Sequence, residues 1–378
     1  MRAPAPQDPV ALGMTAYIRT TFRLRVFGRE HLRIEPGQIL APSHRSDNDV
    51  PLLTSVLYPT WSAAIARGAA WPTFGAMIEL FLPGFFAGYP AGLPLALRRL
   101  LWPYQPGAVL ERHLQCVPIR QPERIHLQEL LRRAPHEPLD QLLPSEVFDA
   151  LGARARALGH RRPERAADVL DGAYADLLLT YLKRESAPRP DEAWRAHGRA
   201  AVQDFRRLAE RLAAGGSVIL FPEGELSPNG DIGLLQPGIG SLARRGSARR
   251  VQPVALAYDP MVRGRVRAYV AFAPAIDPQA GGLVPAVTRA LRAATPLTPG
   301  QLAATAVLAG DPSPRGLRSV AERAIHRARE EGRPVEPALL GPTRERTLTD
   351  ARMRACRRGA SDPLIQRLGH ELESAQLA

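Results

Sequence analysis

At 378 residues the chain is long enough for one large core or two modest ones, and 23% charged with 45% hydrophobic residues excludes a disordered or collagen-like polypeptide. The net charge of +13 is almost all arginine, Lys183 being the single lysine, and such a field favours an anionic lipid surface, an acidic carrier protein or nucleic acid. Nucleic acid has the weakest case, because no aromatic-interleaved basic strand, zinc-finger spacing or recognition-helix pattern accompanies the charge.

The opening residues 1–8 lack the apolar core and cleavage site of a signal peptide. Residues 9–27 read as an amphipathic helix: Leu12, Ile18, Phe22 and Val26 recur near helical spacing, and Arg19, Arg23 and Arg25 add positive charge. Such a helix either packs on a core or lies on an anionic membrane. Residues 37–43 form a short apolar strand, followed by a helix over 48–57 and a second strand over 61–66. Residues 73–97 carry one charge, Glu79, but are broken by Pro83, Gly84, Pro90, Gly92 and Pro94. They read as a surface-seeking or buried hairpin, and no uninterrupted apolar run of about 18 residues suggests a membrane span.

A third strand runs over 116–119 and ends at Arg120. Residues 121–190 become rich in arginine, proline and acidic residues, with helices expected over 124–133, 144–158 and 166–184, and read as a helical insertion. A helix over 191–214 stops at Gly215-Gly216 in the manner of a glycine cap. Strands follow over 217–221, 251–258 and 265–272, and the chain beyond Asp277 is mostly helical, with Thr298-Pro299 as N-cap and first-turn proline. Residues 343–378 form an arginine-rich tail without a clear expected order. Cys116 and Cys356, far apart in sequence, read as reduced thiols of a cytosolic protein.

This alternation of strands and helices implies an α/β fold: a largely parallel mixed sheet flanked by helices, with a helical insertion and a helical C-terminal extension. The corresponding segments are an N-terminal helix (1–30), a main domain (31–275, with 121–190 inserted) and a helical extension (276–378). Ligand sites in such sheets form where strands end and loops begin.

Four polar clusters fall at those places. The first is Ser43-His44-Arg45-Ser46-Asp47-Asn48-Asp49-Val50-Pro51. Inside one helix His44 and Asp49 would lie on different faces, but Pro51 belongs in a first turn. Asn48 then becomes the N-cap, Asp49 opens the helix, and His44 sits in the preceding loop, where its ring can fold back onto the carboxylate. That arrangement suits a general base. The second cluster, Phe221-Pro222-Glu223-Gly224, continues to Pro237-Gly238 and offers glycines and a helix start. The third is Ile119-Arg120, a strand ending in an anion-binding arginine or a surface arginine; the fourth is Pro253-Val254.

Together and in this order, His44 with Asp49, Ile119 with Arg120, Phe221 through Gly224, and Pro253 with Val254 resemble the blocks of the glycerolipid acyltransferases, the 1-acylglycerol-3-phosphate and glycerol-3-phosphate acyltransferases. The resemblance covers about residues 26–273 apart from the insertion. It implies a catalytic pair, with His44 as base and Asp49 as its orienting partner, and acceptor binding by Arg120, Glu223, Gly224, Arg45 and Ser46. The donor would be acyl-CoA or acyl-carrier protein, the acceptor a lysolipid, and neither cofactor nor metal would be needed. Phosphatidate synthesis at the cytoplasmic face of a membrane, as a peripheral or monotopic protein, is the simplest version. Leu226 occupies a place where the family usually carries arginine, which leaves open a different lipid or polyol acceptor, or a non-catalytic membrane- or carrier-binding homologue.

Overall fold

The computed structural model describes residues 9–33, 35–65, 73–76, 117–170, 172–178, 180–186, 192–224, 226–227, 230–279 and 281–376. Its contacts divide the chain into two compact units, residues 1–73 with 209–378, and residues 74–208. The expectations for residues 77–97 and for Cys116 lie outside the described residues.

The first unit opens with helix α1 (Pro9–Thr21), strand β1 (Arg23–Phe27), strand β2 (Gln38–Pro42) and helix α2 (Asp49–Ile65). The single helix expected over 9–27 is therefore cut short. Phe22 N–H closes the last helical turn on the Ile18 carbonyl, and residues 23–27 pair in parallel with a strand far along the chain, Arg23 opposite Arg267 through Phe27 opposite Ala271. A distant ladder overrides the local period there. In α1 the residues Ala11, Thr15 and Ile18 are buried, a stripe at helical spacing that buried Phe22 continues just past its end, and α1 packs on α2. The expected strand over 61–66 is also corrected, since residues 61–65 continue α2 through Pro59. Val50, Leu52, Leu53, Val56 and Leu57 anchor the earlier turns in the core, and Pro59 removes only one helical hydrogen bond.

The chain then enters strand β3 (Thr73–Ala76), which pairs in parallel with β4 (Val117–Pro118). Where a helix was expected over 124–133, strand β5 (Arg124–His126) precedes helix α3 (Leu127–Arg133). Helices α4 (Leu139–Leu142), α5 (Ser145–Ala157) and α6 (Ala175–Leu178) follow, then strand β6 (Tyr181–Lys183), antiparallel to β5. The helix expected over 166–184 is thus replaced by short turns, the one-turn helix α6 and a strand. The Asp168 carboxylate accepts from the N–H groups of Glu164 and Arg165, a local alternative to helical bonding, while Tyr181 to Lys183 find a strand partner. Ile125, Leu130, Leu131, Leu151, Val169, Leu178 and Trp194 give the second unit a core of its own.

Helix α7 (Glu192–Ala213) ends on Gly215, with φ of 82°, and the Gly216 N–H reaches back to the Arg211 carbonyl. Next come strand β7 (Val218–Leu220), helix α8 (Gly238–Arg245), and strands β8 (Arg250–Asp259) and β9 (Arg267–Phe272). Within the first unit the strand order is β1-β9-β8-β2-β7, parallel except between β8 and β9. Every residue of β2, β7 and β9 is buried, as befits strands covered on both faces. The mixed, mostly parallel α/β sheet flanked by helices is the fold class expected.

Helices α9 (Leu283–Ala294), α10 (Pro299–Leu308), α11 (Pro314–Glu330), α12 (Arg344–Arg358) and α13 (Pro363–Gln376) complete the chain. Thr298 caps α10, its hydroxyl accepting from the Gln301 N–H. The tail of unclear order is two ordered helices. Leu348, Ala351 and Ala355 of α12 and Ile365, Leu368 and Leu372 of α13 are buried, and both helices pack on α10. Among the described residues no helix is long and apolar enough to cross a membrane. Because Leu368 is buried against α10 and α12 residues, Leu368→Ala should cost about 2–5 kcal/mol, read as a lower denaturant midpoint at unchanged slope. A midpoint equal to wild type would mean that α13 is not part of the cooperative core.

Candidate active site

Strands β2, β7 and β8 run in parallel, so their C-terminal ends open on the same side of the sheet. At the end of β2 the Ser43 N–H still bonds to the Val254 carbonyl, and the Ser43 hydroxyl accepts from the Leu256 N–H. A side chain thus replaces a ladder bond, and the chain leaves the sheet at His44.

Asp49 is the first residue of α2 and is fully buried. Its Oδ2 accepts from the backbone N–H of Arg45 at 2.5 Å and of Ser46 at 3.0 Å, and from His44 Nδ1 at 2.9 Å. Its Oδ1 accepts from the Tyr258 hydroxyl at 2.7 Å. Four donors and a helix N-terminus offset the cost of burying this carboxylate. The buried acceptor also decides the tautomer: Nδ1 carries the proton, leaving Nε2 as the basic nitrogen. Among the described residues Nε2 has no hydrogen-bond partner; the ring lies 4.5 Å from that of Phe221, and the side chain is 19% exposed. The structure therefore brings His44 and Asp49 together as a loop residue folded onto a helix start.

Glu223 holds the same loop from the other side. It follows β7, where Gly224 turns with φ of 76°, a conformation that favours glycine. Its Oε1 accepts the His44 backbone N–H at 2.8 Å, and Oε2 lies 3.6 Å from Arg45 and 3.4 Å from the Gly233 N–H. Arg45, also buried, donates to the Asp231 carbonyl at 2.9 Å, and the Ser227 N–H donates to the His44 carbonyl at 3.2 Å. Glu223 and Arg45 thus face internal partners, and support of an arginine is the role that the Glu223 geometry displays. The Ser46 hydroxyl accepts from the Asn48 backbone and side chain. Arg120 belongs to the second unit, where it pairs with Glu129 at 3.0 Å and with Asp204.

Comparison with protein-family models and with curated proteins finds no match. Among solved structures the chain is similar to the 1-acyl-sn-glycerophosphate (LPA) acyltransferase PlsC from Thermotoga maritima, at 14% identity over 75% of this chain and 77% of that one, with a TM-score of 0.36.

Several residues at this site escape sequence reasoning. Tyr258 reads there only as the end of a strand; its value depends on the β2–β8 register, in which Pro42 stands opposite Val254. From α13, Arg367 donates to the Arg45 carbonyl at 2.6 Å and lies 3.5 Å from Glu371, while the Ser374 hydroxyl accepts from the Ile232 N–H at 3.3 Å. Gly230 lies so close to α13 that a Cβ there would come within 2.7 Å of the Arg367 carbonyl. The Arg367–Glu371 spacing of four is a helical pair signal, but nothing local reveals its partner. Among the described residues no group of three or more His, Cys, Asp or Glu side chains could hold a metal ion.

Burial raises the pKa of Glu223 above its ordinary 4.5, and the nearby Arg45 only partly opposes this. The folded state therefore binds this proton more tightly than the unfolded chain, and the Glu223 contribution to stability falls as pH rises above 4.5. Glu223→Gln should flatten that slope while keeping a carbonyl for the His44 N–H. Glu223→Ala, which strands the Arg45 guanidinium, should cost about 3–5 kcal/mol. Denaturant titrations at several pH values measure both effects; equal stability of the Gln and Ala variants would contradict them.

Proposed function

We propose that the protein is an O-acyltransferase that moves a fatty acyl group from an acyl thioester to a hydroxyl of a lysophospholipid-type acceptor. The observation that carries this reading is the His44 imidazole, fixed through Nδ1 on buried Asp49, with its side chain partly exposed at the C-terminal ends of the strands. The order of the polar blocks, which resembles that of the glycerolipid acyltransferases, selects acyl transfer among the reactions a histidine base can serve.

In the proposed step the acceptor hydroxyl attacks the thioester carbonyl while Nε2 takes its proton. A C–O bond forms, the C–S bond breaks, and the imidazolium returns the proton to the departing thiolate. Asp49 stabilises the imidazolium without being protonated itself. Direct transfer of this kind involves no acyl-enzyme. The donor is acyl-CoA or acyl-carrier protein. The membrane reading draws support from Leu12, Tyr17 and Arg19, all exposed on α1 of a chain with net charge +13.

A specific observation favours a second reading, an acceptor lacking phosphate. Leu226, where the resembled family usually carries arginine, is 40% exposed, and Arg45 is enclosed by Glu223 and the Asp231 carbonyl. A panel of lysophosphatidate, neutral monoacylglycerol and polyol acceptors, presented on neutral or anionic vesicles with labelled acyl donor, separates the readings. Transfer to one acceptor class is expected, faster on anionic vesicles, and about 10²–10⁴-fold slower for His44→Ala. Near-wild-type transfer by His44→Ala would remove the base from the mechanism.

A further inference from the structure

We infer that Tyr258 is a positioning residue of this site, its hydroxyl fixing the plane of the Asp49 carboxylate and, through it, the direction in which His44 presents Nε2. The three donors from the His44 loop all converge on Oδ2 of Asp49. Among the described residues Oδ1 has the Tyr258 hydroxyl alone, at 2.7 Å. Held at one oxygen, a carboxylate can turn about its Cβ–Cγ bond; held at both, it cannot. In a fully buried aspartate no bulk water stands ready to replace the lost donor, so Oδ1 would be left uncompensated.

The phenol is itself held on several sides. Its backbone lies in β8, opposite Ala268 of β9. Its ring makes an edge contact with Phe22 at 5.8 Å, and Phe22 makes another with Tyr17 at 6.3 Å. The Tyr17 hydroxyl donates to Asn48, the residue before Asp49. Helix α1 and strand β8 therefore brace Asp49 from outside the loop that carries His44. Burial, and then the Asp49 charge, push the phenol well above its ordinary pKa, so it remains a donor at any pH at which a histidine base operates.

The charged groups that face this pair are Arg45 from the His44 loop, Glu223 from the loop after β7 and Arg367 from α13. Tyr258→Phe leaves all of these charges in place and removes a neutral hydroxyl, which donates to Asp49 and also meets the Ser46 side chain. With that donor gone, more of the Asp49 charge acts on the imidazole, which then keeps its proton to higher pH. Part of that lost hydrogen bond, transmitted through Asp49, corresponds to an upward displacement of about one pH unit.

The test is an NMR titration of the full-length protein with labelled histidine, the His44 signal assigned by its loss in His44→Ala. The expected result for Tyr258→Phe is a His44 midpoint about one pH unit higher, with the acid limb of the transfer-rate profile moving alongside. An unchanged midpoint overturns the inference. The kinetic half rests on the acyl-transfer reading and the titration does not, so a displaced midpoint in a protein that transfers no acyl group supports Tyr258 while removing that reading. Should Tyr258→Phe not fold, 3-fluorotyrosine placed at position 258 keeps the ring and strengthens the donor. The midpoint should then fall, and one that stays put overturns the inference equally.

Discussion

A buried carboxylate is the constraint on which this site depends. Asp49 lies at zero exposure at a helix start, where it is tolerable only if donors reach both of its oxygens. Two backbone N–H groups, one imidazole and one phenol supply them. Each donor arrives on a different piece of local geometry. The loop must fold back so that the Arg45 and Ser46 amides point inward, β8 must stand beside β2 in a fixed register, and the helix must open at residue 49. The position and tautomer of His44 follow from these requirements.

The loop that carries His44 is clamped at its backbone. Glu223 receives its N–H and Ser227 donates to its carbonyl, while Arg367 of the last helix holds the next carbonyl along. Glu371, buried, lies against Arg367 and Gln301 and joins α13 to α10. Burial raises the pKa of Glu371, and the surrounding arginines offset part of that cost. The C-terminal helices of the first unit are therefore structural walls of the site.

Much of this was legible from the sequence. Pro51 placed the helix start and therefore the relation of His44 to Asp49, because a residue without an N–H is best tolerated in a first turn. Thr298-Pro299 and Gly215-Gly216 marked helix ends for equally local reasons. What escaped was non-local. Residues 23–27 have a helical apolar period but a strand partner more than 240 residues away. Tyr258 acquires its role from a register that no short window encodes. In the tail, Ile365, Leu368 and Leu372 repeat at helical spacing, but abundant arginine around them masked the stripe. Glu223 shows the limit from the other side: its block was visible as a motif, while its task of holding the His44 amide depends on an approach between residues 179 apart in sequence.

The central claim, that an imidazole oriented by Asp49 acts as the base, is tested most directly by the acyl-transfer rate of Asp49→Asn, with circular dichroism confirming an intact fold. An amide in that place can still hold the loop, but it no longer enforces the Nδ1–H tautomer or stabilises the imidazolium. The account predicts a folded protein with transfer slower by about 10³–10⁴-fold. A folded Asp49→Asn that transfers acyl groups within a few-fold of wild type would contradict it.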